Sequence, residues 1–258
     1  MNKPTSLNPA PVDRYVISAV IPTKTNLGGL KTTIEALWAI APDRIEIIVI
    51  DGGGCDETKT WLLSNQKRIH HIRSAADSGV YPAMNYGKQC ASGAWIWFAG
   101  AGDLPNPEVW NDFLKNRELL DSECSLHVFS VALGDDREGG VPAHYPARWD
   151  SSMQWRNTSH HQGLLYRRSL IQSRMFNPSY RVLADYALNL TLWMEGVEVI
   201  LHDKTWSHVA SGGLSRTFNK SLYREEWKLK KNVLSGWIKW LHPIWLLGKY
   251  LAKQISKR

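Results

Sequence analysis

Short apolar runs bounded by turn residues alternate with stretches of helical period along the first hundred positions. Val16–Pro22, Ile45–Ile50, Ile69–Arg73 and Trp95–Ala99 are runs of five to seven residues. Runs of that length and composition predict strands buried on both faces, as in a parallel sheet. Between them, Leu30–Ile40 puts Leu30, Ile34, Leu37 and Trp38 on one helical face, and Glu57–Ser64 and Tyr81–Ala91 have helical patterns. Strand and helix in alternation predict β-α-β units with right-handed crossovers. Further on, Pro107–Leu120 predicts a helix, Leu126–Leu133 and Gly163–Tyr166 predict strands, Asp185–Glu195 a helix with Leu188, Leu192 and Trp193 inward, and Val197–Leu201 a late strand. Residues 1–13 hold three prolines and no apolar period, which predicts a loose leader, and Gly134–Asp150 is polar with no readable period.

A chain of 258 residues with this alternation accommodates one α/β domain with a sizeable core. The formal net charge is +7, but the last 32 residues carry eight basic and no acidic side chains, so the remainder sums to −1. The basicity belongs to the tail. Cys55, Cys90 and Cys124 are an odd number without CxxC spacing, which argues against a disulfide framework and a structural zinc site and fits a reducing compartment. The first residues contain no apolar signal-type stretch, and no window has about 18 uninterrupted apolar residues. The expectation is a cytoplasmic protein that does not cross a bilayer.

The strand ends carry the candidate chemistry. Three predicted strands run into polar loops: Thr23 after the first, Asp51-Gly-Gly-Gly54 after the second, and Gly100-Ala-Gly-Asp103 after the fourth. Loops at the carboxyl ends of parallel strands are where open α/β sheets bind ligands. Asp103 is a hard oxygen donor suited to a divalent cation, or a helix N-cap before Pro105-Asn-Pro107. Asp51 can accept from a ligand N–H, or be part of an ordinary turn. Asp77 in Asp77-Ser-Gly-Val-Tyr-Pro-Ala-Met-Asn-Tyr-Gly87 and Asp185 in Ala184-Asp-Tyr186 each precede a helical pattern, where capping is the plain alternative. The pair His160-His161 before a strand is equally compatible with local hydrogen bonding, and two histidines do not make a zinc site.

Taken together, these segments resemble the family 2 glycosyltransferases of the GT-A fold, in particular the bacterial enzymes that build surface polysaccharides such as colanic acid, capsule, exopolysaccharide and O-antigen. The likeness runs from about Val16 to Ser215. Its most specific part is Asp77–Gly87, similar to a family segment Asp-x-Gly-Ile-Tyr-Asp-Ala-Met-Asn-x-Gly, with Pro82 in place of the second acid. The resemblance implies a GT-A nucleotide-diphospho-sugar transferase fold, a mostly parallel mixed sheet flanked by helices, over residues 14–220. It implies donor contacts from Thr23, Asp51, Asp77 and Arg216, the last in Ser211-Gly-Gly-Leu-Ser-Arg216, and acceptor-side lining by His161 and Gln162. Asp103 would hold Mn²⁺ or Mg²⁺, although the family's usual Asp-x-Asp retains here only its last acid. Asp185 would be the general base of an inverting transfer from a nucleotide-diphospho-sugar, most readily a UDP-sugar, to a polyprenyl-diphosphate-linked glycan.

Residues 221–258 predict a basic amphipathic helical tail. Trp227, Trp237, Trp240 and Trp245 alternate with Lys228, Lys230, Lys231, Lys239, Lys249 and Lys253, and Pro243 divides the stretch into two expected helices. Aromatic rings favour the headgroup boundary, and each lysine near anionic lipid contributes about 1 kcal/mol, so the tail is expected to hold the enzyme on the inner face of the cytoplasmic membrane. A tail helix packed on the catalytic domain is the alternative. A nucleic-acid partner is not expected, since the positive charge is confined to the tail and no recognition motif accompanies it. A sugar nucleotidyltransferase is a further alternative, but Lys24-Thr-Asn-Leu-Gly-Gly29 is a poor phosphate loop.

Overall fold

The computed structural model describes residues 15–134, 143–210, 220–236 and 238–255. The leader expected over residues 1–13 and the loop carrying Arg216 lie outside the described residues. Four parallel strands, β1 (Ile17–Thr23), β2 (Ile45–Asp51), β3 (His71–Ser74) and β4 (Trp95–Phe98), form one half of a mixed sheet in the order β3-β2-β1-β4. The register aligns Thr23 with Asp51 and Asp51 with Ser74, so the ends of three strands lie level. The sheet continues through β8 (Leu164–Arg167), β6 (Leu126–Leu133), β9 (Val199–Val209) and β5 (Leu104–Pro105), and β7 (His144–Tyr145) pairs with β6. Strand direction reverses at the β4–β8 seam, where Trp95, Ile96 and Trp97 face Arg167, Tyr166 and Leu165.

Both sheet faces are apolar because alternate strand residues serve two cores. Val20, Ile48, Ile50, Ile96 and Phe98 pack against α3 (Val80–Cys90) and α7 (Ala184–Met194). Ile17, Ala19, Ile21, Ile47, Val49, Trp95 and Trp97 share the other core with α1 (Leu27–Ile40), α2 (Asp56–Ser64) and α4 (Pro107–Lys115). Period-2 alternation with apolar residues on both sides is the physical origin of the continuous runs in the sequence. Helix α3 approaches the sheet closely at Gly87, where a Cβ would overlap Val20 Cγ1 and stand 3.3 Å from Ile50 Cγ1.

Three sequence expectations need correction. The helix expected over Pro107–Leu120 is two helices, α4 and α5 (Arg117–Asp121), because Asn116 interrupts the first and caps the second by accepting from Leu119 N–H. The late strand extends well beyond Leu201 to Val209, its polar face along His202–Lys204 having concealed it. In the tail, α8 (Lys220–Val233) and α9 (Ile238–Ile255) part before Pro243, which lies inside α9. Gly236, at φ 68°, sits at the break: the left-handed residue turns the chain, whereas the proline forfeits one N–H within a helix that continues.

The tail helices also use their cations differently from expectation. Lys230 is fully buried, donating to Trp155 O at 2.6 Å and lying 3.1 Å from Glu226 Oε1. Lys249 of α9 reaches the same carboxylate at 2.9 Å. A buried Glu226 recruits both, because an isolated buried carboxylate costs several kcal/mol. Trp240, Leu241, Ile244, Trp245 and Leu247 remain exposed on α9, and no helix among the described residues is long and apolar enough to cross a membrane.

Candidate functional site

The carboxyl edge of the parallel strands gathers the first group of residues. Asp51, 1% exposed, ends β2 and accepts from Ser74 Oγ at 2.6 Å and from Gly53 N at 3.3 Å. Gly53 and Gly54 take φ of 70° and 122°, the left-handed geometry that keeps the backbone low at this edge. Thr23 lies beside Asp51 on β1, and its buried hydroxyl has no hydrogen-bond partner in the protein. The Asp77 carboxylate leans against Gly52, where a Cβ would stand 2.9 Å from Asp77 Oδ2. Asp77 Oδ1 also accepts from Gly79 N, the residue that precedes α3, so it both shapes the turn and borders the same edge.

Asp103 follows β4 and is 2% exposed. It is not a helix cap: Asn106 caps α4 by accepting from Glu108 N and Val109 N. One Asp103 oxygen accepts from Gly100 N at 2.6 Å and the other from Ala210 N at 2.9 Å, and Thr33 of α1 pins its carbonyl at 2.8 Å. Burial pushes the Asp103 carboxyl above the ordinary carboxylate range, partly opposed by those two N–H groups, the positive influence of His161 and a hydrogen bond with the Gln162 side chain. A carboxylate in that condition gains from an added cation. Among the described residues no group of three or more His, Cys, Asp and Glu side chains could hold a metal ion unaided.

The short 3₁₀ turn His161–Gly163 brings the second group to the first. It enters β8, which is antiparallel to β4, so its amino end meets the carboxyl end of β4. Gln162 O accepts from Trp97 Nε1 of β4 at 2.8 Å and Ser207 Oγ of β9 at 3.0 Å, and Gln162 Oε1 is buried without a partner. Next to it, His161 Nδ1 lies 3.0 Å from Asp185 Oδ2. Asp185 is in the first turn of α7 and 7% exposed. Burial opposes its charge, but His161, through hydrogen bond and charge, together with the Tyr81 hydroxyl and Tyr186 N–H, prevails and holds its carboxyl below the ordinary range. The ionised form of Asp185 is thereby favoured, which leaves it free to accept a proton, though as a weaker base than an unperturbed carboxylate.

The structure therefore places His161 against Asp185 and Gln162, the next residue, near Asp103, adjacent to the edge that carries Thr23, Asp51 and Asp77. Two contributors had not been singled out from the sequence. Tyr81 Oη stands 2.9 Å from Asp185 Oδ1 and 2.6 Å from Val182 O, and burial followed by the Asp185 charge raises its pKa well above the phenol range. Glu225 of α8 accepts from the backbone just before α7. Tyr81 was visible inside the Asp77–Gly87 segment as a helical residue; Glu225 had no local signal. Asn85 of that segment serves the fold, exchanging hydrogen bonds with Phe176 O and N at 2.7 and 2.9 Å. An open groove of about 430 Å³, lined by Glu35, Trp38, Ala39, Trp61, Asn65 and Arg68, lies toward the far end of α1 and holds none of these carboxylates.

The profile of glycosyl transferase family 2 matches residues 18–175. A PGL/p-HBAD biosynthesis glycosyltransferase of Mycobacterium bovis is 26% identical over 213 residues, which span 78% of this chain and 80% of the relative; a Mycobacterium tuberculosis protein of the same description matches equally. Among solved structures, Staphylococcus aureus TarS residues 1–349 in complex with UDP superposes with a TM-score of 0.63 at 15% identity, covering 93% of this chain and 72% of that one. The mannosyltransferase PcManGT of Pyrobaculum calidifontis, in complex with GDP-Man and Mn²⁺, gives 0.60 at 16% identity, covering 96% and 73%. The mixed α/β sheet is that of the GT-A glycosyltransferases, and the chain belongs to glycosyl transferase family 2.

Proposed function

We propose that the protein is an inverting glycosyltransferase that moves a sugar from a nucleoside-diphosphate donor to a hydroxyl of a lipid-linked oligosaccharide in bacterial surface polysaccharide assembly. The observation that carries this reading is the buried Asp185 carboxylate, contacted by His161 Nδ1 at 3.0 Å and Tyr81 Oη at 2.9 Å, in a fold whose parallel strands lead into the buried Asp51 and Asp103. Thr23 and Asp51 receive the base, Asp77 the ribose or sugar, and Arg216, outside the described residues, the diphosphate. Asp185 takes the proton from the acceptor hydroxyl as that oxygen bonds to the anomeric carbon. The bond from that carbon to the diphosphate breaks on the opposite face, and the nucleoside diphosphate leaves with the electron pair. His161 and Tyr81 keep Asp185 charged and aimed.

The Asp103 carboxylate and the unpartnered Gln162 Oε1 would supply oxygen ligands of the kind Mn²⁺ or Mg²⁺ takes. When bound, the cation would neutralise charge on the departing diphosphate. The PcManGT complex with Mn²⁺ supports this assignment, and TarS complexes with UDP and UDP-GlcNAc support a UDP-sugar donor. A lipid-linked acceptor is supported by the apolar face of α9, with Ile244 72% and Trp240 71% exposed, and by exposed Lys228 and Lys231 on α8. These features fit a catalytic unit over 14–220 and a tail over 221–258 that rests on the inner face of the cytoplasmic membrane.

A panel of UDP-, GDP- and dTDP-sugars with and without Mn²⁺, read by thermal shift and by nucleoside diphosphate release, tests the proposal. A shift with one donor class, larger with Mn²⁺, and release that depends on a lipid-linked acceptor are expected. No response to any donor would remove the reading.

A further inference from the structure

Helix α7 begins without a side-chain cap. The residue before it is Leu183, which carries no acceptor, and the three backbone N–H groups of the segment leading into the helix, Arg181 to Leu183, bond outside that segment. The acceptor comes from 42 to 44 residues away: Arg181 N donates to Glu225 Oε2 at 2.9 Å, and Val182 N and Leu183 N both donate to Glu225 Oε1 at 2.7 Å. An anion at this place satisfies three backbone donors and complements the positive end of the helix dipole.

The segment it holds is the one that aims Asp185. Val182 presents its carbonyl to Tyr81 Oη, and the same hydroxyl contacts Asp185 Oδ1, while Asp185 itself lies two residues beyond Leu183. Glu225 is in turn held by the packing of its own helix. Its neighbour Glu226 is buried and pairs with Lys230 and with Lys249 of α9, Lys230 donates to Trp155 O, and Asn232 Nδ2 donates to Tyr180 Oη at 3.1 Å, on the chain leading into Arg181.

We propose that Glu225 is a positioning residue for the Asp185 base, so that the C-terminal helices belong to the catalytic apparatus and are more than a membrane tether. This deepens the proposed transferase function and rests on Asp185 being its base. Glu225 touches no reacting atom; it fixes the backbone from which Asp185 and its Tyr81 partner take their positions.

The test compares E225A, E225Q and D185N in the full-length protein, with steady-state kinetics under saturating acceptor, donor affinity by calorimetry and melting temperature measured on each. E225A is expected to lower kcat about 10- to 100-fold, the cost of misplacing a catalytic group by about 1 Å, while donor Kd stays within about twofold. E225Q keeps an oxygen for Val182 N and Leu183 N and loses the acceptor for Arg181 N, so its kcat should fall less than that of E225A but remain several-fold below wild type. A residue that merely stabilised the fold would not separate kcat from donor affinity in this way. Wild-type kcat in E225A, or equal losses in both Glu225 variants accompanied by weakened donor binding, would overturn the proposal. If E225A does not fold, E225Q decides: a several-fold lower kcat with intact donor affinity supports it and an unchanged kcat overturns it. The parallel D185N separates the two levels, because an inactive D185N beside a fully active E225A refutes only the Glu225 role, whereas an active D185N refutes the base assignment beneath it.

Discussion

Asp185→Asn removes the charge of the proposed base and little else. The amide has nearly the volume of the carboxylate, and the site is almost closed to solvent, so no cavity forms and the change reports on proton transfer. A positioned general base contributes about 10²- to 10⁴-fold, which corresponds to about 2.7–5.5 kcal/mol in the barrier. The proposed donor contacts are Thr23, Asp51 and Asp77, none of which is bonded to Asp185, so donor Kd should hold. The folded protein loses two hydrogen bonds to an ionised acceptor, from His161 and Tyr81, worth about 1.5–3 kcal/mol each at most, and regains the desolvation cost of the charge. A net change of about 1 kcal/mol moves Tm by only about 2–4 °C in a chain of this size. Nucleoside diphosphate release under saturating donor and acceptor, with calorimetric donor binding in parallel, is the assay. A kcat within threefold of wild type would refute the base assignment, and a matching loss of donor affinity would refute the separation of the two halves of the site.

Three further outcomes follow from the same geometry. His161→Ala removes the largest influence that lowers the Asp185 pKa; because the base works only when ionised, the acidic limb of the kcat–pH profile should move to higher pH, and an unmoved limb would show that His161 does not set that ionisation. Gly87→Ala drives a Cβ into Val20 Cγ1 under α3, an overpacking worth about 1–3 kcal/mol that should lower Tm by about 2–12 °C in differential scanning calorimetry; an unchanged Tm would mean that α3 stands farther from the sheet. Ile244→Glu with Leu247→Glu charges the exposed face of α9 and should reduce sedimentation with anionic liposomes about tenfold or more, since each apolar side chain buried contributes about 1.5–3 kcal/mol; turnover of a water-soluble acceptor should stay within about twofold, and undiminished liposome binding would remove the membrane role of this face.

Much of the fold was legible because burial on both sheet faces leaves continuous apolar runs. Strands β1, β2, β4 and β6 therefore lie within a residue of expectation. The carboxyl half of β9 did not, since His202, Asp203 and Lys204 read as loop until a partner strand is known. Sheet order was equally hidden: the insertion of β8 between β4 and β6 is decided by pairings between residues about 40 to 70 positions apart. In the candidate site, Thr23 and Asp51 could be picked out because each closes a strand, Asp103 because it lies in the polar loop after one, and Asp185 because it opens a helix. Tyr81 and Glu225 act across 104 and more than 40 residues and carry no local trace of it. Lys230 misled for a related reason: on a basic amphipathic pattern it reads as a surface cation, and only the buried Glu226 four residues before it shows where it goes.

The reversal of strand direction between β4 and β8 divides labour within one sheet. Parallel strands can offer only their carboxyl ends to this edge; an antiparallel neighbour offers its amino end, so His161 and Gln162 arrive from a segment that shares no loop with the nucleotide side. The two sides meet along three residue pairs. Under the proposed function, exchanges at His161 would act on the acceptor side, while Gln162, whose side chain reaches Asp103, joins that side to the grip on the activated sugar.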